Sequence, residues 1–158
     1  MSINIQESFM KMPLGEKIIL PAGLVLLIDS FLPWYHASAC VFTVCGSINR
    51  SGWQSPGAFW SILAVLIGLA LAALVAVTRF TTVKMPALPQ GVTMARIYAG
   101  GAAAAALFVI IKLINESSHL GFGFFVGIVC VAALCVGGGL LFQAERQGTM
   151  GGGTTTSM

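Results

Sequence analysis

Charge is what this sequence has least of. Of its 158 residues, 8 are Lys or Arg and 5 are Asp or Glu, so charged side chains make up 8%, against roughly a quarter in soluble domains. So few cannot cover the surface of a folded particle in water. An ordinary water-soluble globule is excluded. A basic cluster is also missing, because the formal net charge of +3 is spread along the chain, and this leaves no electrostatic footprint for nucleic acid. Disorder is excluded by the opposite quantity: 57% hydrophobic residues and a mean hydropathy of +0.92 supply ample apolar surface to bury. The lipid bilayer has to be part of the solvent.

A helix that crosses about 30 Å of hydrocarbon needs about 20 mainly apolar residues, with every backbone polar group satisfied inside it. Four stretches read that way, about 17–35, 57–78, 95–114 and 120–142. The sequence therefore predicts an all-α integral membrane four-helix bundle over 17–142, preceded by an N-terminal segment 1–16 and followed by a flexible, Gly/Thr/Ser-rich tail over 143–158. Ile5, Phe9 and Met12 recur at helical spacing, so 1–16 is expected to lie in the interface as a short amphipathic helix, with a frayed tail as the alternative. A cleaved targeting signal is the rival reading of the first stretch, with Ala37-Ser38-Ala39 as its cleavage site. The bulky run Pro33-Trp34-Tyr35-His36 before that site favours a retained anchor. Four crossings place Lys11, Lys17, Arg79, Lys84, Arg96 and Arg146 on one side and Arg50 and Lys112 on the other. Loops rich in Lys and Arg stay inside, so both termini are expected to be cytoplasmic.

Helices in lipid associate by close packing at small residues, since lipid tails are as apolar as Leu. Gly68, Ala72 and Ala76 share a face of the second stretch, Gly101 and Ala105 of the third, and Gly123, Gly127 and Gly137 line the fourth. Helix contacts, within one chain or between copies, are expected there. The longest connection, about 36–56, carries Cys40 and Cys45, and a bridge between them closes a small hairpin on the oxidising side. Trp34, Tyr35, Trp53 and Trp60 cluster around this loop and are expected to meet a partner.

Asp29 is the most costly residue, because a carboxylate at mid-membrane costs about 2.5–3.5 kcal/mol on insertion scales. Lys112 falls at a comparable depth, so an Asp29–Lys112 ion pair inside the bundle is expected, with local pairing of Lys112 to Glu116 as the alternative. His36, Cys40, Cys45 and His119 lie on one side, but their spacing matches no metal motif, and no metal site is expected. Cys130 and Cys135 are five apart on one helix, too far round it to share a bridge, and read as apolar fillers.

Two resemblances arise from these residues. Four stretches with Cys40, Cys45 and Arg50 after the first resemble the quinone-linked disulfide-oxidising membrane proteins of bacteria. That family has two residues between the cysteines rather than four, and a second cysteine pair where Asn115–His119 has none. The run Phe31-Leu32-Pro33-Trp34-Tyr35 with Gly52-Trp53 resembles small four-span actinobacterial membrane proteins of unassigned function, which implies a bacterial inner membrane and no activity. The function expected is non-enzymatic: a structural or accessory subunit that contacts itself or a larger membrane protein complex, with no cofactor. The alternatives are an oligomeric transporter or channel using Asp29 and Lys112, and a thiol-disulfide oxidoreductase using Cys40 and Cys45 with quinone.

Overall fold

The computed structural model describes residues 4–54, 57–82, 88–115, 117 and 120–151. Chain order is α1 (Ile5–Lys11), α2 (Leu14–Asp29), β1 (Pro33–Val41), β2 (Val44–Ser51), α3 (Ala58–Phe80), α4 (Met94–Asn115) and α5 (Phe122–Gly151). Three of the helices are long and apolar enough to cross a membrane: α3, α4 and the Phe122–Gly148 portion of α5. These mark the chain as a membrane protein.

The expected all-α four-helix bundle is corrected in two respects. Among the described residues there are five helices, of which three qualify as spans, together with a two-stranded antiparallel sheet. The stretch 17–35 does not continue as one helix. α2 has 16 residues, a rise of about 24 Å against the roughly 30 Å of a hydrocarbon core. Its end is written in polar chemistry: the Ser30 hydroxyl bonds back to the Leu27 carbonyl at 2.5 Å, and a tight turn follows in which Leu32 N–H meets the Asp29 carbonyl at 2.9 Å. Pro33 has no N–H with which to extend the ladder. Pro33, Trp34 and Tyr35 accordingly leave the helix and begin β1.

α2 packs on α3 and α5, and α4 packs on the same two helices from the other side. Ile19, Leu26, Val65, Val75, Ala105 and Leu134 fill the centre. Glycines set the closest approaches. A Cβ on Gly23 would fall 2.5 Å from the Gly68 carbonyl oxygen and 2.6 Å from the Ala72 methyl, and one on Gly137 would fall 2.7 Å from Ile19 Cγ1. Backbones held this near each other gain dispersion along their whole length, which is the available source of helix association in lipid. Gly101 faces Leu71, Ala105 is fully buried and Ala76 is half-buried.

At the end of the molecule where α2 begins, Glu16 receives two bonds from Arg79 at the end of α3, Nε to Oε2 at 2.5 Å and Nη2 to Oε1 at 3.0 Å. The fork fixes α2 antiparallel to α3. Thr93 donates to Glu145 at 2.6 Å beside Arg96, and so joins the start of α4 to α5. Because α5 continues helically to Gly151, residues 143–151 are not the tail that their composition implies. Arg146 lies 4.9 Å over the Phe142 ring within that extension. The remaining tail residues, 152–158, lie outside the described residues, as do Lys84, Glu116 and His119.

Candidate functional site

The opposite end carries the hairpin, and its base is a buried polar cluster. β1 and β2 pair from Pro33↔Ser51 through Ala37↔Ile48 and Cys40↔Cys45 to Val41↔Val44, leaving Phe42-Thr43 as a two-residue turn. Phe42 takes φ 57°, a left-handed conformation uncommon for a side chain with a Cβ. The Cys40–Cys45 disulfide spans the strands one pair from that turn. From His36 to Val41, and along β2 as far as Arg50, every residue is exposed, so the hairpin stands clear of the helices.

Strand alternation gives the hairpin two different faces. On one lie Cys40–Cys45, Ser38 opposite Ser47, and His36 bonded to Asn49 at 2.6 Å. On the other lie Val41 opposite Val44, Ala39 opposite Gly46, Ala37 opposite Ile48, and Tyr35 opposite Arg50. The second face is apolar and exposed, with Val41, Val44 and Ile48 each more than half accessible, and Phe42 at its tip is 100% exposed. The pairing of Cys40 with Cys45 had a readable cue in its spacing. The apolar face did not, because Ala and Gly at Ala37, Ala39 and Gly46 give a weak alternation signal.

Trp34 anchors the base. It is 0% exposed, its indole N–H donates to the Asp29 carbonyl at 2.8 Å, and its ring meets Phe124 edge-on at 5.7 Å. Gly123 and Gly127 of α5 make room for it: a Cβ on Gly123 would fall 2.8 Å from Trp34 Cδ1, and one on Gly127 would fall 3.1 Å from Trp34 Cζ2. Gly121 N–H bonds to the Trp34 carbonyl at 2.7 Å, Gly52 N–H bonds to the Ser30 carbonyl at 3.2 Å, and the Trp53 indole donates to Ser30 Oγ at 3.0 Å. The partner-contact expectation is therefore corrected for two residues. Trp34 and Tyr35 are core, and cannot meet a partner without dismantling the base. Trp53 stacks on Phe31, Trp60 meets Phe108 at a tilt, and both keep accessible surface.

Asp29 and Lys112 are each 1% exposed, at the same end of the helices. They do not form the expected ion pair. The Lys112 ammonium bonds to the Ser61 hydroxyl and lies 5.6 Å from the ring centroids of both Trp34 and Tyr35. Neither Asp29 carboxylate oxygen has a hydrogen-bond partner, and a Cβ on Gly127 would fall 3.1 Å from Oδ2. The Trp34 ring thus has the amine on its face and the carboxylate near its edge. Burial pushes the Asp29 carboxyl up to about 6. Ser61 was visible in the sequence as a polar residue in an apolar run, but nothing there named Lys112 as its partner.

No protein-family model, curated protein or solved structure matches this chain. Function has to be argued from this geometry alone. Among the described residues no group of three or more His, Cys, Asp or Glu gathers closely enough to hold a metal ion. Cys130 and Cys135 are free thiols, the first buried and the second donating to the Ala102 carbonyl at 3.4 Å. The Cys40–Cys45 bond lies on the polar face of the exposed hairpin.

Proposed function

We propose that this chain is a membrane-embedded accessory subunit that docks a partner polypeptide on the apolar face of its hairpin. The observation that carries this reading is an exposed two-stranded element whose one face is Val41, Val44, Ala37, Ala39 and Ile48, tipped by Phe42. A lone hairpin is marginally stable in water, yet this one is clamped at its tip by a disulfide and at its base by Trp34 and Trp53. Rigid presentation lowers the ordering cost of binding. The hairpin holds Arg50 and His36 and no acidic residue, so the complementary surface is apolar with a carboxylate near its edge.

The sidedness that goes with this reading puts the Glu16–Arg79 end in the cytoplasm and the hairpin outside a bacterial inner membrane. Lys11, Lys17, Arg79, Arg96 and Arg146 at or near the first end support it, as does a disulfide that needs an oxidising compartment. The test is native mass spectrometry of the complex released in mild detergent, comparing wild type with Ile48→Asp. The proposal expects a co-purifying polypeptide that Ile48→Asp loses while the disulfide and helix content persist. Retention of the same partner by Ile48→Asp and by Val44→Asp would sink it.

A further inference from the structure

Among the described residues, four side chains at the base of the hairpin donate to acceptors other than the Asp29 carboxylate. The Trp34 indole is spent on the Asp29 backbone carbonyl, the Ser30 hydroxyl on the Leu27 carbonyl, the Trp53 indole on Ser30 Oγ, and the Lys112 ammonium on Ser61 Oγ. Asp29 is left with two buried oxygens and no donor. An ionised carboxylate in that position loses its hydration and has only the nearby Trp34 indole, whose bond goes to the Asp29 carbonyl, to offset the loss, which leaves a deficit of several kcal/mol in a protein interior. Lys112 is the cation that opposes this, but its ammonium bonds to the Ser61 hydroxyl and lies over the Trp34 and Tyr35 rings.

We propose that Asp29 is a proton-binding site, occupied as the neutral carboxylic acid when the hairpin base is closed. A proton is the ligand that removes the charge without needing a donor from the protein, and no other atom has to enter the gap between α5 and Trp34. Beside it lie Trp34 of β1 and, on α5, Gly127 with the buried Cys130 thiol one turn on, while Lys112 of α4 lies over the Trp34 and Tyr35 rings and bonds to Ser61 of α3. Of these only Lys112 carries charge at neutral pH. Proton release would place a negative charge, opposed only through the ring-bound Lys112, beside the Asp29 carbonyl that holds the indole of Trp34, so occupancy of this site and closure of the hairpin base rise and fall together.

The test needs no mutation, because Asp29 is the single aspartate of the chain. Wild-type protein grown with carbon-13 aspartate and reconstituted in lipid gives one side-chain carboxyl resonance, followed by nuclear magnetic resonance as pH is changed. The site predicts the acid-form shift at pH 5 and a midpoint at least 100-fold in proton concentration below that of an ordinary aspartate, whose midpoint is near pH ~3.9. Amide exchange at Gly52 and Gly121 should quicken across the same midpoint. A carboxylate shift throughout pH 5 to 7, with a midpoint in the ordinary range, would overturn the assignment. Exchange at both amides that ignores the midpoint would overturn the coupling to the hairpin.

Discussion

Removing the Trp34 side chain is the sharpest perturbation of the hairpin base, and its cost can be worked from contacts. Trp34 is fully buried between Gly123, Gly127 and Phe124, and truncating such a ring to Ala costs about 3–5 kcal/mol in transfer and cavity terms. Loss of the indole donor adds about 1 kcal/mol for the Asp29 carbonyl, and loss of a ring face beneath Lys112 adds about 0.5–2 kcal/mol. Trp34→Ala should therefore weaken the base by about 4.5–8 kcal/mol, whereas Trp34→Phe, which keeps a ring and loses the donor, should cost about 1–2 kcal/mol. The helices pack on one another without the hairpin, so the damage should be local. Hydrogen exchange in detergent micelles reads it directly. The amides of Gly121 and Gly52, which bond to the Trp34 and Ser30 carbonyls, should lose protection in Trp34→Ala, while amides in the middle of α3 and α4 keep theirs. Unchanged protection at Gly121 and Gly52, or equal losses throughout α3 and α4, would refute the anchoring role.

Three further outcomes follow from the same geometry. Gly127→Val puts two methyl groups where Trp34 and Asp29 already lie, so thermal unfolding in detergent should show a loss of about 1–3 kcal/mol from overpacking, more than Gly139→Val, which has open space. Replacing Cys40 and Cys45 with Ser opens a loop of separation 5, which the chain-entropy relation values at about 2 kcal/mol. Exchange should then quicken at the hairpin tip and leave Gly121 protected. Asp29→Asn should remove a pH dependence with a defined sign. The Asp29 carboxyl is raised by burial to about 6, so its favourable contribution is full below the unfolded value of ~3.9 and is lost as pH rises through about 6. Wild type should lose about 2 kcal/mol relative to Asp29→Asn between pH 4 and pH 8, measured by unfolding in mixed micelles. Parallel pH profiles for the two would contradict it.

Membrane character was fully legible, because a chain with 8% charge and long apolar runs has one solvent that suits it. The first helix was not. Hydropathy averages over a window, so Asp29, Ser30 and Pro33 were absorbed into a span that the side-chain chemistry of Ser30 and the missing N–H of Pro33 terminate. The cysteine pairing was readable from its spacing, while Val41-Phe42-Thr43-Val44, strand-like in composition, turned out to hold the turn itself. Trp34 and Tyr35 illustrate a limit of composition: an interfacial aromatic facing lipid and one sealing a core look identical in sequence, and the glycines that receive Trp34 are about 90 residues away in the chain. Asp29 and Lys112 lie at the same end of the helices, but that does not choose between a carboxylate and a Ser61 hydroxyl on a neighbouring helix. The tail differs for a related reason, since Gly and Thr near a helix end weaken the α5 signal without preventing about two and a half more turns.

Docking on one face of the hairpin is tested most directly by photocrosslinking in native membranes, with a photoreactive side chain placed in turn at Ile48 and at Ser47. The two positions are adjacent on β2 and both exposed, but point to opposite faces. A discrete adduct to another polypeptide from Ile48, and little from Ser47, is the predicted result. Equal labelling from both positions, or adducts to lipid alone from Ile48, would contradict it.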